Sequence, residues 1–177
     1  MSRTVSTCNE QIRTGRIPNL AVTQATLDAG ESPIMTSPDP HDLQRFVTAQ
    51  DAGGTYQRAA AELRRGRKDS HWMWFIFPQI AGLGFSPASR TYAISSLEEA
   101  RAYLAHPVLG PRLTECAAIV AGLPGRTPEQ VFGEIDAVKL RSSMTLFMRA
   151  APAEPVFRQV LDQYFGGAPD PETDQRI

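Results

Sequence analysis

Apolar residues recur at three- and four-residue spacing along most of the chain after residue 39, in segments that proline and glycine interrupt. Leu43, Phe46 and Val47 form one such stripe, which is typical of a helix that buries one face. Helix-start signals precede the apolar segments at Asp39-Pro40, Thr55, Ser86-Pro87, Ser96 with Glu99, Pro107, Thr127-Pro128 with Gln130, Asp136 and Pro155. The pattern predicts an all-α fold: a single compact multi-helix domain with flexible N- and C-terminal tails.

An apolar block at residues 70–78 interrupts this regularity. Its sequence, Ser-His-Trp-Met-Trp-Phe-Ile-Phe-Pro, is apolar on nearly every side. Periodicity alone assigns such a block equally to a buried strand or to a buried helix. We favour a buried helix that starts at Ser70, because the neighbouring segments are helical and the chain offers no second strand to pair with it.

The two ends of the chain lack helical periodicity. Residues 1–37 end in a proline-rich stretch and are expected to be disordered or loosely attached. Residues 38–167 are expected to form the helical domain and residues 168–177 a polar tail. Met35 lies just before the first capped segment and is a second candidate, beside Met1, for the translational start. No window has the length of a transmembrane helix, so a cytoplasmic location is expected.

Charge and cysteine content narrow the possible functions. The 177 residues carry 18 Lys and Arg against 19 Asp and Glu, a formal net charge of −1. This balance gives no general attraction to nucleic acid or to an anionic membrane, so neither is expected as a partner. Cys8 and Cys116 lie far apart and near no pair of histidines, which excludes a disulfide framework and a structural zinc site. No metal and no cofactor are expected.

The aromatic block and several later motifs resemble a known family. The motifs are residues 66–79, Gly82-Leu83-Gly84, Tyr92-Ala93-Ile94, residues 103–110 with Arg112-Leu113, residues 132–136 and residues 139–147. Together they span about residues 42–170, and they are similar to a bacterial family of domains of unknown function, numbered 1810, whose members are sometimes labelled calpastatin. The resemblance implies a mostly helical fold and no established biochemical activity.

A run of cations before the aromatic block suggests an anion site. Arg67 and Lys68 follow the end of a predicted helix and precede Ser70 and His71. If Ser70 begins the next helix, its free backbone N–H groups could join these cations in holding a phosphate. A solvated charge cluster at a helix end explains the same residues equally well.

Three further side chains near this run are candidates for ligand contact or catalysis. His71 is the candidate general acid–base, because histidine is the side-chain type suited to proton transfer near neutral pH, although a packed histidine is the simpler explanation. Trp72 and Trp74 point about 200° apart on a helix, so at most one of them can stack on a ligand ring. We take Trp72 as that residue. Gln79 can read the edge of a ligand or tie down the following glycine turn.

A second polar set lies on a later predicted helix. Lys139, Ser142 and Ser143 share one helix face, while Asp136 is interpreted as the N-cap of that helix. This face can close on the Arg67–His71 region across the fold, or it can simply be solvated. A serine hydrolase is not proposed, because both serines lie on a helix without the strained turn that such nucleophiles occupy.

Two functions of different classes follow from these residues. The first is the binding, and possible processing, of a phosphorylated nucleotide-like small molecule such as an ADP-ribose-type ligand. The alternative is a non-enzymatic helical module that binds a protein partner through an exposed aromatic surface. A buried aromatic block beside a concave polar pocket would favour the first, and an exposed convex aromatic face the second.

Overall fold

A computed structural model of the chain describes residues 39–123 and 125–177. Within these ranges the fold is all-α, as predicted, and the only β-type pairing is an isolated parallel bridge between Ile80 and Ile94. The helices are α1 Gln44–Asp51, α2 Thr55–Arg64, α3 Met73–Ile76, α4 Pro87–Thr91, α5 Leu97–Ala105, α6 Leu109–Ala121, α7 Pro128–Phe132, α8 Glu134–Ala150, α9 Pro155–Phe165 and α10 Pro171–Asp174; a 3₁₀ turn, Ala52–Gly54, joins α1 to α2.

Helix α8 is the centre of the packing. It contacts α5, α7, α9 and α10, while α6 packs against α2, α5 and α9. The largest side chains of the core are fully buried between these helices: Phe46, Leu63, Trp72, Phe77, Tyr103, Phe147 and Phe157. Removing this much apolar surface from water is the main stabilising contribution to the fold.

Several helix starts set by short-range hydrogen bonds lie where the sequence predicts them, but α1 begins at Gln44 rather than at Asp39-Pro40, and α6 begins at Leu109 rather than at Pro107. The Ser86 hydroxyl accepts from Ser89 N at the start of α4, and Thr127 with Gln130 forms a complete capping box at α7. Pro155 opens α9, and Gly166 ends it in the left-handed conformation. The predicted start at Asp136 is wrong, because α8 begins two residues earlier, after Gly133, and Asp136 lies in its first turn.

The aromatic block forms a shorter helix than predicted. Helix α3 covers only Met73–Ile76, so Ser70 does not begin it. Trp72 precedes α3 in a non-helical conformation, and the chain leaves the helix again at Phe77. The block is nevertheless largely core, since Trp72, Ile76 and Phe77 are buried.

The C-terminal residues are not a free polar tail. Helix α10 packs against α8, and Asp170 and Thr173 are buried. The Asp170 carboxylate caps α10 by accepting from Thr173 N at 3.2 Å. The predicted N-terminal tail and the alternative start at Met35 lie outside the described residues. No helix within the described ranges has both the length and the apolarity needed to cross a membrane.

Candidate functional site

A cleft with two adjoining chambers runs along one side of α8. The larger chamber has a volume of about 810 Å³ and the smaller about 470 Å³. Trp74, Ile135 and Lys139 line both chambers, so they mark the boundary between them. The combination of one largely apolar space with a few polar groups is typical of small-molecule sites.

The smaller chamber holds a bridge of two lysines and one carboxylate. Asp136 binds Lys68 Nζ at 2.7 Å through one oxygen and Lys139 Nζ at 2.6 Å through the other. Burial raises the pKa of Asp136, but the hydrogen bonds and charges of the two lysines outweigh it and lower the pKa below its usual value. The three groups together carry a net charge of +1, so the bridge still favours an anion.

Each lysine also lies over an aromatic ring. Lys139 Nζ is 4.9 Å from the centre of the Trp74 ring, and Lys68 Nζ is 5.2 Å from that of Trp72. Both distances are within the range of cation–π attraction. The backbone N–H of Lys68 donates to Val131 O at 2.7 Å, which holds the loop after α2 against α7. The two lysines are therefore positioned by several contacts each.

The larger chamber is built from four parts of the chain. Trp74 comes from α3, Leu83 and Phe85 from the loop before α4, and Ile135 and Val138 from α8. These apolar walls are joined by Gln79 and by the C-terminal residues Asp170, Glu172 and Arg176. Arg176 donates to the Glu172 carboxylate at 2.8 Å, so this pair closes one side of the chamber.

The structure brings together some of the predicted site residues. Lys68, His71 and Lys139 line the smaller chamber, and Gln79, Lys139 and Ser142 line the larger one. His71 is exposed, and no hydrogen bond of its side chain to another described residue orients the ring. A ligand role for these residues, and proton transfer by His71, stay predictions.

Ser70 and Trp72 have a different role from the predicted one. The Glu62 carboxylate accepts from Asp69 N at 2.8 Å, Ser70 N at 3.0 Å and Trp72 Nε1 at 2.7 Å, and its second oxygen accepts from Ser70 Oγ at 2.6 Å. The N–H groups proposed to hold a ligand anion therefore already hold a carboxylate of the protein itself. Trp72 is fully buried, so the tryptophan available to a ligand is Trp74.

Arg67 and Ser143 also lie away from the cleft. The Arg67 side chain is 78% exposed and pairs with Asp69 at 3.0 Å. Ser143 is completely buried, and its hydroxyl is the one fully enclosed side-chain polar atom without a partner in the described part of the chain. Ser142, by contrast, donates to the Asp170 carboxylate at 2.8 Å beside the larger chamber.

Several cleft residues were missed by the sequence reasoning. Phe85 and Ile135 are 81% and 75% exposed, and this exposure is the kind of signal that only a structure provides. Asp170 and Arg176 fall in the segment interpreted as a polar tail, where no apolar periodicity marks a packed element. The Asp-Pro start signal at Asp170-Pro171, of the same type as Asp39-Pro40, would have indicated α10.

No group of three or more His, Cys, Asp or Glu within residues 39–123 and 125–177 is arranged to hold a metal ion.

Comparisons with known proteins place the chain in a family. A family model described as "Protein of unknown function (DUF1810)" matches residues 40–177. The chain belongs to this family. The crystal structure of the conserved hypothetical protein Rv1873 from Mycobacterium tuberculosis is similar to it, with 53% sequence identity, a TM-score of 0.75 and coverage of 77% of this chain and 96% of the mycobacterial one. None of the curated proteins matches. The family resemblance expected from the aromatic block is confirmed.

Proposed function

We propose that the cleft binds a phosphorylated nucleotide-like small molecule of the ADP-ribose type. The observation that carries the proposal is the Lys68–Asp136–Lys139 bridge, which lines the smaller chamber and whose Lys139 also lines the largely apolar larger one. A nucleotide has the matching division, since a sugar joins a charged phosphate to a flat aromatic base.

The bridge suits a phosphate in charge and in geometry. Two ammonium groups share one carboxylate, so each retains N–H donors for an incoming anion. Charge-assisted hydrogen bonds to phosphate oxygens are among the strongest available to a protein. His71, at the edge of the same chamber, supplies a further donor to the anion whenever its ring is protonated.

The larger chamber suits the base. Trp74 is only partly buried and presents an aromatic surface, on which a base can stack with a contribution of about 1–3 kcal/mol. A volume of about 810 Å³ lies within the usual range of ligand pockets. Gln79 offers both a donor and an acceptor to the edge of a base.

The proposal concerns binding in the first place. His71 is the candidate for proton transfer, and its ring makes no hydrogen bond to a carboxylate or a nucleophile among the described residues.

Isothermal titration calorimetry with ADP-ribose, AMP and inorganic phosphate tests this function. We expect Lys68→Gln and Lys139→Gln each to weaken binding on the order of tenfold, as loss of a charge-assisted hydrogen bond implies. The two losses should be non-additive in the double variant, because both lysines contact one anion.

Arg67→Gln is the matched control, because it removes the same charge from an exposed position outside the cleft. It should leave binding unchanged. Absence of binding by every ligand, or equal losses in Arg67→Gln and Lys139→Gln, would contradict the proposal.

The exposed rim favours the alternative function, a module that binds a protein partner. Phe85, Ile135 and Val138 are 81%, 75% and 62% exposed, and they lie together around the larger chamber. Exposed apolar clusters of this kind mark interaction sites. If this alternative holds, wild-type protein binds no nucleotide, and Ile135→Ser with Phe85→Ser abolishes association with the partner without changing the melting temperature.

A further inference from the structure

Asp170 is the most deeply buried charged side chain of the larger chamber, at 8% exposure. One of its carboxylate oxygens, Oδ2, accepts from Thr173 Oγ1 at 2.7 Å, Ser142 Oγ at 2.8 Å and Thr173 N at 3.2 Å. Its backbone N–H donates to Thr145 Oγ1 at 2.8 Å. Three hydrogen bonds to the carboxylate and one from the backbone N–H therefore fix Asp170 between α8 and α10.

The other carboxylate oxygen, Oδ1, has no hydrogen-bond partner among the described residues. Among those residues, one fully enclosed side-chain polar atom lacks a partner, and that atom is Ser143 Oγ. Asp170 Oδ1 lacks a partner as well, so it is not fully enclosed. Since Asp170 lines the larger chamber, Oδ1 is the acceptor that it offers to the chamber. An ionised carboxylate only accepts hydrogen bonds, so the complementary ligand atom is a donor.

Asp170 shares the larger chamber with Lys139, the lysine that lines both chambers. Its partner Ser142 follows Lys139 on α8 by three residues, or about 4.5 Å along the helix axis, and both line the larger chamber. A ligand whose phosphate contacts Lys139 thus brings the group next to its phosphate close to Asp170. In a nucleotide that group is the sugar.

We propose that Asp170 Oδ1 accepts a hydrogen bond from a ribose hydroxyl, so that the cleft selects ribonucleotides over deoxyribonucleotides. This inference rests on the proposed nucleotide-binding function and names its substrate class more closely. A carboxylate that reads a ribose hydroxyl is a known solution in dinucleotide-binding folds of quite different architecture. A fixed carboxylate with one unpaired oxygen in the wall of the chamber provides the same chemistry here.

The inference is tested by calorimetric titration of the full chain with AMP, 2′-deoxy-AMP and 3′-deoxy-AMP. Loss of the hydroxyl that contacts Oδ1 should weaken binding on the order of tenfold, the effect of one hydrogen bond to a charged group. In Asp170→Asn, the amide oxygen can keep the contacts with Ser142 and Thr173 while the NH₂ group faces the chamber. The charged acceptor becomes a neutral donor, whose hydrogen bond to a hydroxyl is weaker, so discrimination between AMP and its deoxy analogues should shrink.

Arg149→Gln is the matched control for loosening α10. It breaks the ion pair with Asp174 at 2.9 Å between α8 and α10 but contacts neither Asp170 nor the chamber, so it should lower the melting temperature slightly and leave discrimination intact. Equal binding of AMP and both deoxy analogues by wild-type protein would overturn the inference and leave the proposed function standing. Full discrimination retained in Asp170→Asn would overturn it as well. If wild-type protein binds no ribonucleotide, both proposals fall.

Discussion

Trp72 and Trp74 are separated by one residue, and each has a lysine over its ring and a carboxylate nearby, yet their surroundings differ. Trp72 is fully buried and donates to Glu62, whose oxygens are saturated by four donors from the same short loop. Trp74 is partly exposed in the cleft, and the carboxylate beside it, Asp136, is shared by two lysines that line an open chamber. The first arrangement is closed and the second is open to a further anion.

The difference shows how the same residue types serve stability in one place and recognition in another. Around Glu62 every donor and acceptor is used internally, so a ligand could gain nothing without breaking the fold. Around Asp136 the two lysines line the smaller chamber and keep N–H donors beyond those that they give to the carboxylate. A polar cluster next to an aromatic residue therefore becomes a candidate site when its hydrogen bonds are left incomplete on the side of a cavity.

Replacing each tryptophan by alanine should give the largest contrast. Trp72→Ala leaves a cavity in the core and removes one of the four hydrogen bonds to Glu62, so we expect a loss of about 3–5 kcal/mol in the free energy of unfolding. Trp74→Ala removes a partly exposed ring and should cost much less, while abolishing the stacking surface for a nucleotide. Urea denaturation measured on both variants checks this, and equal losses would contradict the distinction between the two tryptophans.

The next largest effect should be a loss of stability in acid, which we attribute to protonation of Glu62. Burial raises the pKa of Glu62, but the four donors outweigh it and lower the pKa to about 2. Because the folded-state pKa lies below that of the unfolded chain, the stabilisation is complete above about pH 4.5 and is lost as the pH falls toward 2. The loss should be on the order of 3 kcal/mol.

Glu62→Gln is the control for this pH effect. The amide cannot titrate, so the variant should be less stable than wild type at pH 7, and the difference between the two proteins should shrink as the pH falls toward 2. Thermal unfolding followed at several pH values measures the difference. A constant difference across this range would show that another group is responsible.

The sequence predicts the features that depend on hydrogen bonds between neighbouring residues. It misses the features that depend on contacts between residues far apart in the chain. The start of α4 at Ser86 and the Thr127 capping box involve hydrogen bonds to residues three positions away, so the sequence pattern contains them. Lys68 and Lys139 bind the same carboxylate, that of Asp136, although no local sequence signal specifies this tertiary contact. Asp170 escaped notice because its burial depends on Ser142, which lies 28 residues before it.

The sequence could not distinguish Trp72 from Trp74 for the same reason, since a tertiary contact decides which ring is buried. A helix starting at Ser70 makes both rings equivalent candidates, since each side chain then points to its own side. Glu62 ends that equivalence by binding the loop at Asp69 and Ser70 and the Trp72 indole. A glutamate in the last turns of α2 is an ordinary surface residue by pattern, and only the fold reveals it as a buried acceptor.

The smallest expected effect concerns the open arrangement. Asp136→Asn keeps the size of the side chain but changes the net charge of the bridge from +1 to +2, because both lysines lose their shared carboxylate. We expect affinity for inorganic phosphate to rise on the order of fivefold at low salt, and the gain to shrink as salt screens the charges.

The cost of Asp136→Asn in unfolding free energy should be smaller than that of Glu62→Gln, because the Asp136 carboxylate accepts from two donors whereas the Glu62 carboxylate accepts from four. Phosphate titration at two salt concentrations measures the change in affinity. Weaker phosphate binding in Asp136→Asn would mean that the carboxylate positions the lysines for the anion rather than competing with it.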